Sequence, residues 1–135
     1  MKRTMFSILI MAILGVSITA QSATNKAPSP KTNWQATFVE LGSVNCAPCR
    51  MMQPVMKEIE EKYGGTVKVI FYDVWTPQDR DKAVQYGIRV IPTQIFLDKD
   101  GIEFFRHIGF FSAEEIGKLL ASKDINPTGK KDREK

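Results

Sequence analysis

Short apolar, β-prone runs and amphipathic stretches alternate along the middle of the chain. The apolar runs predict strands, and the stretches with apolar residues at helical spacing predict helices. The strands are expected at residues 36–41, 67–72, 94–97 and 103–108, and the helices begin near residues 46, 76 and 112.

Residues that begin, bend or end helices mark the limits of these elements. Pro54 lies within the first predicted helix, where it removes a backbone donor, so we expect a kink there. Thr76, followed by a proline, is typical of a helix start, and Gly87 is typical of a helix end. Ser112 and Glu115 have the spacing of a capping box for the last helix.

The order of the elements is strand, helix, strand, helix, strand, strand, helix. A turn sequence at residues 98–101 joins the last two strands as an antiparallel hairpin. The first two connections contain helices and are interpreted as crossovers. The predicted fold class is α/β, with a mixed central sheet of about four strands flanked by helices on both faces.

Composition divides the chain into segments around a single domain. Its 135 residues are within the usual size of one domain, and no internal repeat is present. A signal segment is expected at residues 1–20, a flexible lead-in at 21–33, the folded domain at 34–123 and a polar tail at 124–135.

The N-terminal segment has the layout of a secretion signal. Lys2 and Arg3 precede an apolar run at residues 5–18, and the small residue Ala20 follows. We therefore expect cleavage and export to the periplasm or another extracytoplasmic space. The alternative is an uncleaved anchor facing the periplasm, although the run is shorter than the roughly 20 residues that a spanning helix needs.

The charge of the chain bears on its partners. The full chain has a net charge of +4, and removal of residues 1–20 would take two basic residues away and leave +2. Because this positive charge is small, no nucleic-acid partner is expected.

The only two cysteines, Cys46 and Cys49, lie at the junction of the first predicted strand and helix. Backbone N–H groups and the dipole at a helix N-terminus stabilise a thiolate, and thiolates attack disulfides. Cys46 is therefore the expected nucleophile. Cys49, one helical turn later, can form a disulfide with Cys46 and release a bound partner. Ala47 is small and Pro48 suits a first turn, so neither blocks a substrate disulfide.

Two cysteines at this spacing leave other chemistries open. A zinc site needs four ligands, but His107 is the only histidine, so no metal is expected. A structural disulfide is conceivable, although so short a loop adds little stability. A cysteine hydrolase needs a base near Cys46, and His107 is interpreted instead as a surface residue. Three methionines at helical spacing are interpreted as core residues: Met51, Met52 and Met56.

The segment from Cys46 to Pro54 resembles the active-site motif of the thioredoxin family, in which C-G-P-C is followed by a basic residue and a proline. The segment Tyr86–Thr93 is similar to that family's cis-proline segment and has the same spacing from the cysteines. The resemblance covers about residues 36–122. It implies a thioredoxin fold in which the additional N-terminal strand and helix are missing or reduced.

The resemblance also implies which residues bind a substrate. It implies a cis peptide bond between Ile91 and Pro92, a minority state for proline, and pairing of the backbone before Pro92 with an extended substrate segment. Gly109 resembles the family's glycine in the loop that flanks the active site. Ala47 and Pro48 complete the expected substrate-binding residues.

Glu40 takes the place of a buried aspartate that thioredoxins use to move the proton of the second cysteine, and Val69 takes the place of that acid's lysine partner. A buried carboxylate without a cation has a raised pKa, which suits Glu40 to accept the Cys49 proton and return it later. The alternative is a strand residue whose head group reaches water and has no part in turnover.

Two departures from the family pattern leave the reduction potential and the choice of partner open. Asn45 replaces the tryptophan that usually precedes the first cysteine, and Ala47 replaces the usual glycine. Trp75 follows a strand end on the side where such sheets carry their active sites, so it is a candidate to replace that tryptophan.

The sequence therefore predicts a monomeric thiol–disulfide oxidoreductase that acts on protein disulfides or dithiols and uses no cofactor beyond its own dithiol. The resemblance favours an exported reductant, as in thioredoxins that serve cytochrome c maturation, supplied by a membrane electron donor. One alternative is a disulfide oxidase or isomerase. Another is a non-catalytic binding module, which would keep its partner affinity without the cysteines.

Overall fold

The computed structural model describes residues 33–128. The signal segment at residues 1–20, the lead-in up to residue 32 and residues 129–135 of the tail lie outside the described residues. The expectation of reduced N-terminal elements also falls outside them. Within the described part of the chain, no helix is long and apolar enough to cross a membrane.

The structure contains four strands and four helices within these residues: β1 (Ala36–Gly42), α1 (Ala47–Arg50), α2 (Met52–Tyr63), β2 (Val67–Asp73), α3 (Arg80–Gln85), β3 (Thr93–Asp98), β4 (Glu103–Ile108) and α4 (Ala113–Ala121). The strands form a central sheet in the order β2-β1-β3-β4. β1 is parallel to β2 and antiparallel to β3, which pairs with β4 as the predicted hairpin. This confirms the predicted mixed four-stranded sheet.

Alternate side chains of β1 enter two separate cores. Phe38 stacks on Phe96 with ring centroids 4.9 Å apart, in the larger core that α2 and α4 cover. Val39 and Leu41 enter the smaller core on the opposite face, beside α3. Burial of both faces explains the continuous apolar sequence of β1 and confirms the helices on both faces of the sheet. Glu40 lies on the same face as Phe38, because alternate residues of a strand share a face.

Two expectations about β2 and its connection to β3 are wrong. The sequence predicts a buried strand, but β2 lies at the sheet edge and residues 69–72 are only half-buried. The sequence also predicts a crossover, but β3 is antiparallel to β1, so the chain leaves β2 and enters β3 at the same edge. The six residues of α3 form only about 9 Å of helix, too short to run back along β2.

The first predicted helix is interrupted at Met51, between α1 and α2. Pro54 has no N–H to donate to the Arg50 carbonyl, and its ring crowds that carbonyl. The Met51 N–H donates to the Pro48 carbonyl at 3.2 Å, in the tighter pattern of a 3₁₀ turn. The predicted kink at Pro54 is therefore a break three residues before the proline.

α3 begins three residues later than the sequence predicts, with Asp79 as its N-cap residue. Thr76 does not cap the helix, because its hydroxyl donates to the Asp73 carbonyl at 2.8 Å. Gly87 ends α3 as predicted, with a φ of +61° that favours glycine.

The packed structure continues beyond residue 123. Ile125 is buried in the larger core. The Thr128 N–H donates to the Lys62 carbonyl at 3.1 Å, and the Thr128 hydroxyl accepts the Gly65 N–H at 3.0 Å. Residues 124–128 therefore pack against the end of α2 and the turn that follows it.

The capping box at the start of α4 is confirmed. Ser112 Oγ accepts the Glu115 N–H at 3.2 Å, and the Glu115 carboxylate accepts the Ser112 N–H at 3.0 Å. We expect Ser112→Ala to lower the free energy of unfolding by about 1 kcal/mol in urea titrations, because an N–H at the helix start loses its acceptor. Ser122→Ala, at the other end of α4, is the matched control. An equal loss in both variants would contradict this role of the cap.

Candidate active site

The disulfide between Cys46 and Cys49 lies just after the end of β1. Cys46 is the N-cap residue of α1, and its sulfur accepts the Cys49 N–H at 3.4 Å. Cys46 is 7% exposed and Cys49 is fully buried, so Cys46 is the more accessible of the two. Ala47 and Pro48 lie between them and are exposed. The dithiol thus occupies the strand–helix junction that the sequence predicts.

Glu40 is fully buried in β1, two residues before Gly42. Burial raises the pKa of Glu40 from 4.5 to about 8, and a hydrogen bond from Gln94 only partly opposes this rise. The rise is in the direction that the sequence predicts for a buried carboxylate without a cation. On β2, the register places the apolar Phe71 directly opposite Glu40.

Gly42 allows Cys49 and Glu40 to approach each other. A Cβ atom at Gly42 would lie 3.3 Å from both the Cys49 Sγ and the Glu40 Oε1 atoms. These two atoms are therefore separated by at most twice that distance. Because Gly42 has no side chain, the buried acid and the buried cysteine share the space beside this residue.

Gln94 is a residue of the site that sequence reasoning missed. It lies opposite Glu40 in the β1–β3 register, is fully buried, and donates from Nε2 to the Glu40 Oε2 atom at 2.9 Å. The available signal was an uncharged polar residue at the start of an otherwise apolar buried strand. Such a residue needs a hydrogen-bond partner, and Glu40 is the partner that the adjacent strand supplies.

Asp73, at the end of β2, was also missed. Its Oδ2 atom accepts the Val44 N–H and its Oδ1 atom accepts the Trp75 N–H, each at 3.1 Å. Burial tends to raise the pKa of Asp73, but hydrogen bonds from Val44, Ser43 and Trp75 outweigh it and lower the pKa below its usual value. Asp73 thereby ties the loop that leads to Cys46 to the loop that follows β2.

Pro92 and Gly109 lie at the same sheet edge and are joined by a hydrogen bond. The Ile91–Pro92 peptide bond is cis, as the resemblance implies. The Pro92 carbonyl accepts the Gly109 N–H at 2.9 Å. Gly109 has a φ of +96°, which a residue with a side chain rarely adopts, so this loop conformation requires glycine.

Exposed apolar side chains are concentrated around this edge. Of the eight large hydrophobic side chains that are exposed within residues 33–128, four follow β1, α1, β2 or β4, one precedes β3, and one is the last residue of β4. We call them the apolar rim: Val44, Met51, Trp75, Val90, Ile108 and Phe110. Met51 is 52% exposed, so its interpretation as a core residue is wrong, whereas Met52 and Met56 are buried as predicted.

His107 is not a simple surface residue. It is half-buried, its ring stacks on Phe111 with centroids 4.3 Å apart, and its Nε2 atom lies 3.1 Å from the Phe110 carbonyl oxygen. Within residues 33–128, no group of three His, Cys, Asp or Glu side chains is arranged to hold a metal ion.

Related sequences carry the same domain. A family model described as a thioredoxin-like domain matches residues 20–123. The thioredoxin of Bacillus subtilis is 30% identical over 98 residues, which is 73% of this chain and 91% of that protein. Thioredoxin C-2 of Corynebacterium nephridii is 38% identical over 81 residues, which is 60% of this chain and 69% of that protein.

Solved thioredoxin structures have the same fold. A mutant thioredoxin from Halobacterium salinarum aligns with a TM-score of 0.59 at 23% identity, over 67% of this chain and 76% of that one. Thioredoxin O2 from Arabidopsis thaliana, in its oxidized state, aligns with a TM-score of 0.57 at 19% identity, over 65% and 74% of the two chains. The sequence matches, this fold and the Cys46–Cys49 disulfide show that the chain belongs to the thioredoxin-like family and is a thiol–disulfide oxidoreductase.

Proposed function

We propose that this protein is an exported reductant of protein disulfides, in which Cys46 attacks and Cys49 resolves. The observation that supports these roles is the difference in access between the two cysteines. Cys46 caps α1 and is partly accessible, whereas Cys49 is fully buried beside Gly42. A substrate sulfur therefore reaches Cys46 first.

The first step forms a mixed disulfide. The Cys46 thiolate attacks one substrate sulfur, the substrate disulfide breaks, and the second substrate sulfur leaves as a thiolate. The Cys49 N–H donates to the Cys46 Sγ atom in the disulfide form, and the same donor stabilises negative charge on this sulfur after reduction.

The second step releases the substrate. Cys49 gives its proton to the ionised Glu40 carboxylate, and its thiolate attacks the Cys46 sulfur of the mixed disulfide. The remaining substrate sulfur leaves as a thiolate, so two electrons have moved to the substrate and a Cys46–Cys49 disulfide remains. The raised pKa of Glu40, about 8, suits this carboxylate to take a thiol proton and release it later.

The substrate side of the site suits an extended protein segment. The apolar rim offers hydrophobic surface around the dithiol. Ala47 and Pro48 are exposed beside Cys46, and the backbone at Ile91 and Pro92 lies at the same edge as Gly109. We assign substrate binding to these residues together with the rim.

The layout of residues 1–20 supports export to the periplasm. We test it with a fusion of residues 1–33 to an alkaline phosphatase that lacks its own leader and is active only after export. Phosphatase activity is expected from the fusion and not from a control that lacks residues 5–18. Equal activity from both would contradict export, and retention of the active fusion in the membrane would favour the anchor.

The direction of electron flow is a separate part of the proposal. A reductant in an oxidising space needs a membrane electron donor, and proteins that serve cytochrome c maturation are the substrate class we propose. We expect an equilibrium potential near or below about −250 mV for the full chain in glutathione and dithiothreitol buffers. A value above about −180 mV would favour a disulfide oxidase or isomerase instead.

A further inference from the structure

We propose that Gln94 is a positioning residue for the exchange reaction, because its amide holds one oxygen of Glu40 so that the other oxygen faces Cys49. This inference rests on the proposed role of Glu40 as the proton acceptor of Cys49. Gln94 itself touches neither the substrate nor the reacting sulfurs in this scheme.

The β1–β3 register sets the position of the amide. Glu40 and Gln94 are directly opposite each other on neighbouring antiparallel strands, so their side chains leave the same face of the sheet. Both are fully buried, and Gln94 Nε2 donates to Glu40 Oε2 at 2.9 Å. One carboxylate oxygen is thus fixed by a neutral donor.

The other carboxylate oxygen faces the dithiol. Glu40 Oε1 has no hydrogen-bond partner among the described residues. It lies 3.3 Å from the position that a Cβ atom at Gly42 would occupy, and the Cys49 Sγ atom lies at the same distance from that position. Because Oε2 accepts from the amide, we assign the proton of neutral Glu40 to Oε1, the oxygen that lies with the Cys49 sulfur beside Gly42.

A neutral donor suits a group that must gain and lose a proton in each cycle. A cation at this position would hold the carboxylate ionised, whereas an apolar residue would leave it protonated to higher pH. Among the residues directly opposite Glu40, Gly42 or Gln94 in the strand register, the other ionisable groups are Asp73, opposite Gly42 on β2, and His107, opposite Gln94 on β4. From α1 the facing group is Cys49, and α2 and α4 contribute apolar residues and the phenol of Tyr63 to this core.

The test compares Gln94→Met, which keeps an unbranched side chain, with Ile95→Val. Ile95 is fully buried in the same strand but belongs to the opposite core, so its variant controls for loosened packing. We titrate the Glu40 carboxyl carbon by NMR in the oxidised full chain. Gln94→Met is expected to raise the pKa of Glu40 by about one pH unit, since the ionised form loses a hydrogen bond. Ile95→Val is expected to leave that pKa unchanged.

A second readout is the pH dependence of mixed-disulfide resolution in single-turnover experiments. The wild-type profile should follow the ionisation of Glu40, and Gln94→Met should move it upward by the same interval as in the NMR titration. An unchanged carboxyl pKa in Gln94→Met would overturn the role of Gln94 alone. If the pH dependence of mixed-disulfide resolution were the same in Glu40→Gln as in the wild type, the role of Glu40 would be overturned, and this inference with it.

Discussion

Replacing Cys46 with serine is expected to abolish disulfide exchange, with loss of at least about a thousandfold in rate, because a neutral hydroxyl cannot replace the attacking thiolate. Replacing Cys49 with serine is expected to stop the reaction after its first step. Cys46 is the more accessible of the two cysteines, so Cys49→Ser should accumulate a mixed disulfide with the substrate. Non-reducing electrophoresis and mass spectrometry measure both results.

The variant that lacks both cysteines is the matched control for this experiment. It should capture no substrate covalently, and any residual affinity in it measures non-covalent binding by the apolar rim. Stable mixed disulfides in Cys46→Ser rather than in Cys49→Ser would reverse the two roles. If the variant that lacks both cysteines bound the partner as tightly as the wild-type chain, and the wild-type chain exchanged no disulfides, a non-catalytic binding module would be favoured.

Glu40→Gln is expected to remove a large pH-dependent loss of stability. The unfolded chain releases the Glu40 proton near pH 4.5, whereas the folded chain holds it to about pH 8. The contribution of Glu40 to stability is therefore fully present below pH 4.5, falls as the pH rises, and is lost above about pH 8. Between these two pH limits, the free energy of unfolding is expected to fall by about 5 kcal/mol through Glu40.

Urea titrations of the oxidised protein between pH 5 and 9 measure this effect. The wild-type free energy of unfolding should fall with pH, and that of Glu40→Gln should fall much less. Glu61→Gln, which removes an exposed carboxylate from α2, is the charge-matched control and should follow the wild type. A parallel fall in wild type and Glu40→Gln would show that the Glu40 carboxyl is not protonated in the folded chain at neutral pH.

Much of the fold could be predicted because its strands and helices differ in hydrophobic period. β1 and β3 are largely buried on both faces and are therefore mostly apolar, and α2 and α4 carry one apolar face. β2 is also apolar, but composition alone does not show whether a strand is central or at an edge. The direction of β3 depends on the lengths of α3 and of its flanking loops. The late start of α3 determines these lengths.

The cysteines of the site could be predicted from local sequence, whereas its polar partners could not. The strand–helix junction around Cys46 is continuous in the chain, and so is the segment before Pro92. Gln94 meets Glu40 across 54 positions of sequence, and Asp73 meets Val44 across 29. Both contacts depend on strand register, which no local pattern fixes. An unexplained polar residue in a buried strand is the sequence signal that such a contact leaves.

The most direct test of the central claim is a stoichiometric exchange between the reduced full chain and a disulfide-bonded protein such as insulin. Free thiols of the substrate and the Cys46–Cys49 disulfide are quantified together by alkylation and mass spectrometry. Thiol–disulfide exchange predicts one substrate disulfide reduced for each Cys46–Cys49 disulfide formed, and no reduction by the variant that lacks both cysteines. Substrate disulfides that stay intact while Cys46 and Cys49 stay reduced would contradict it.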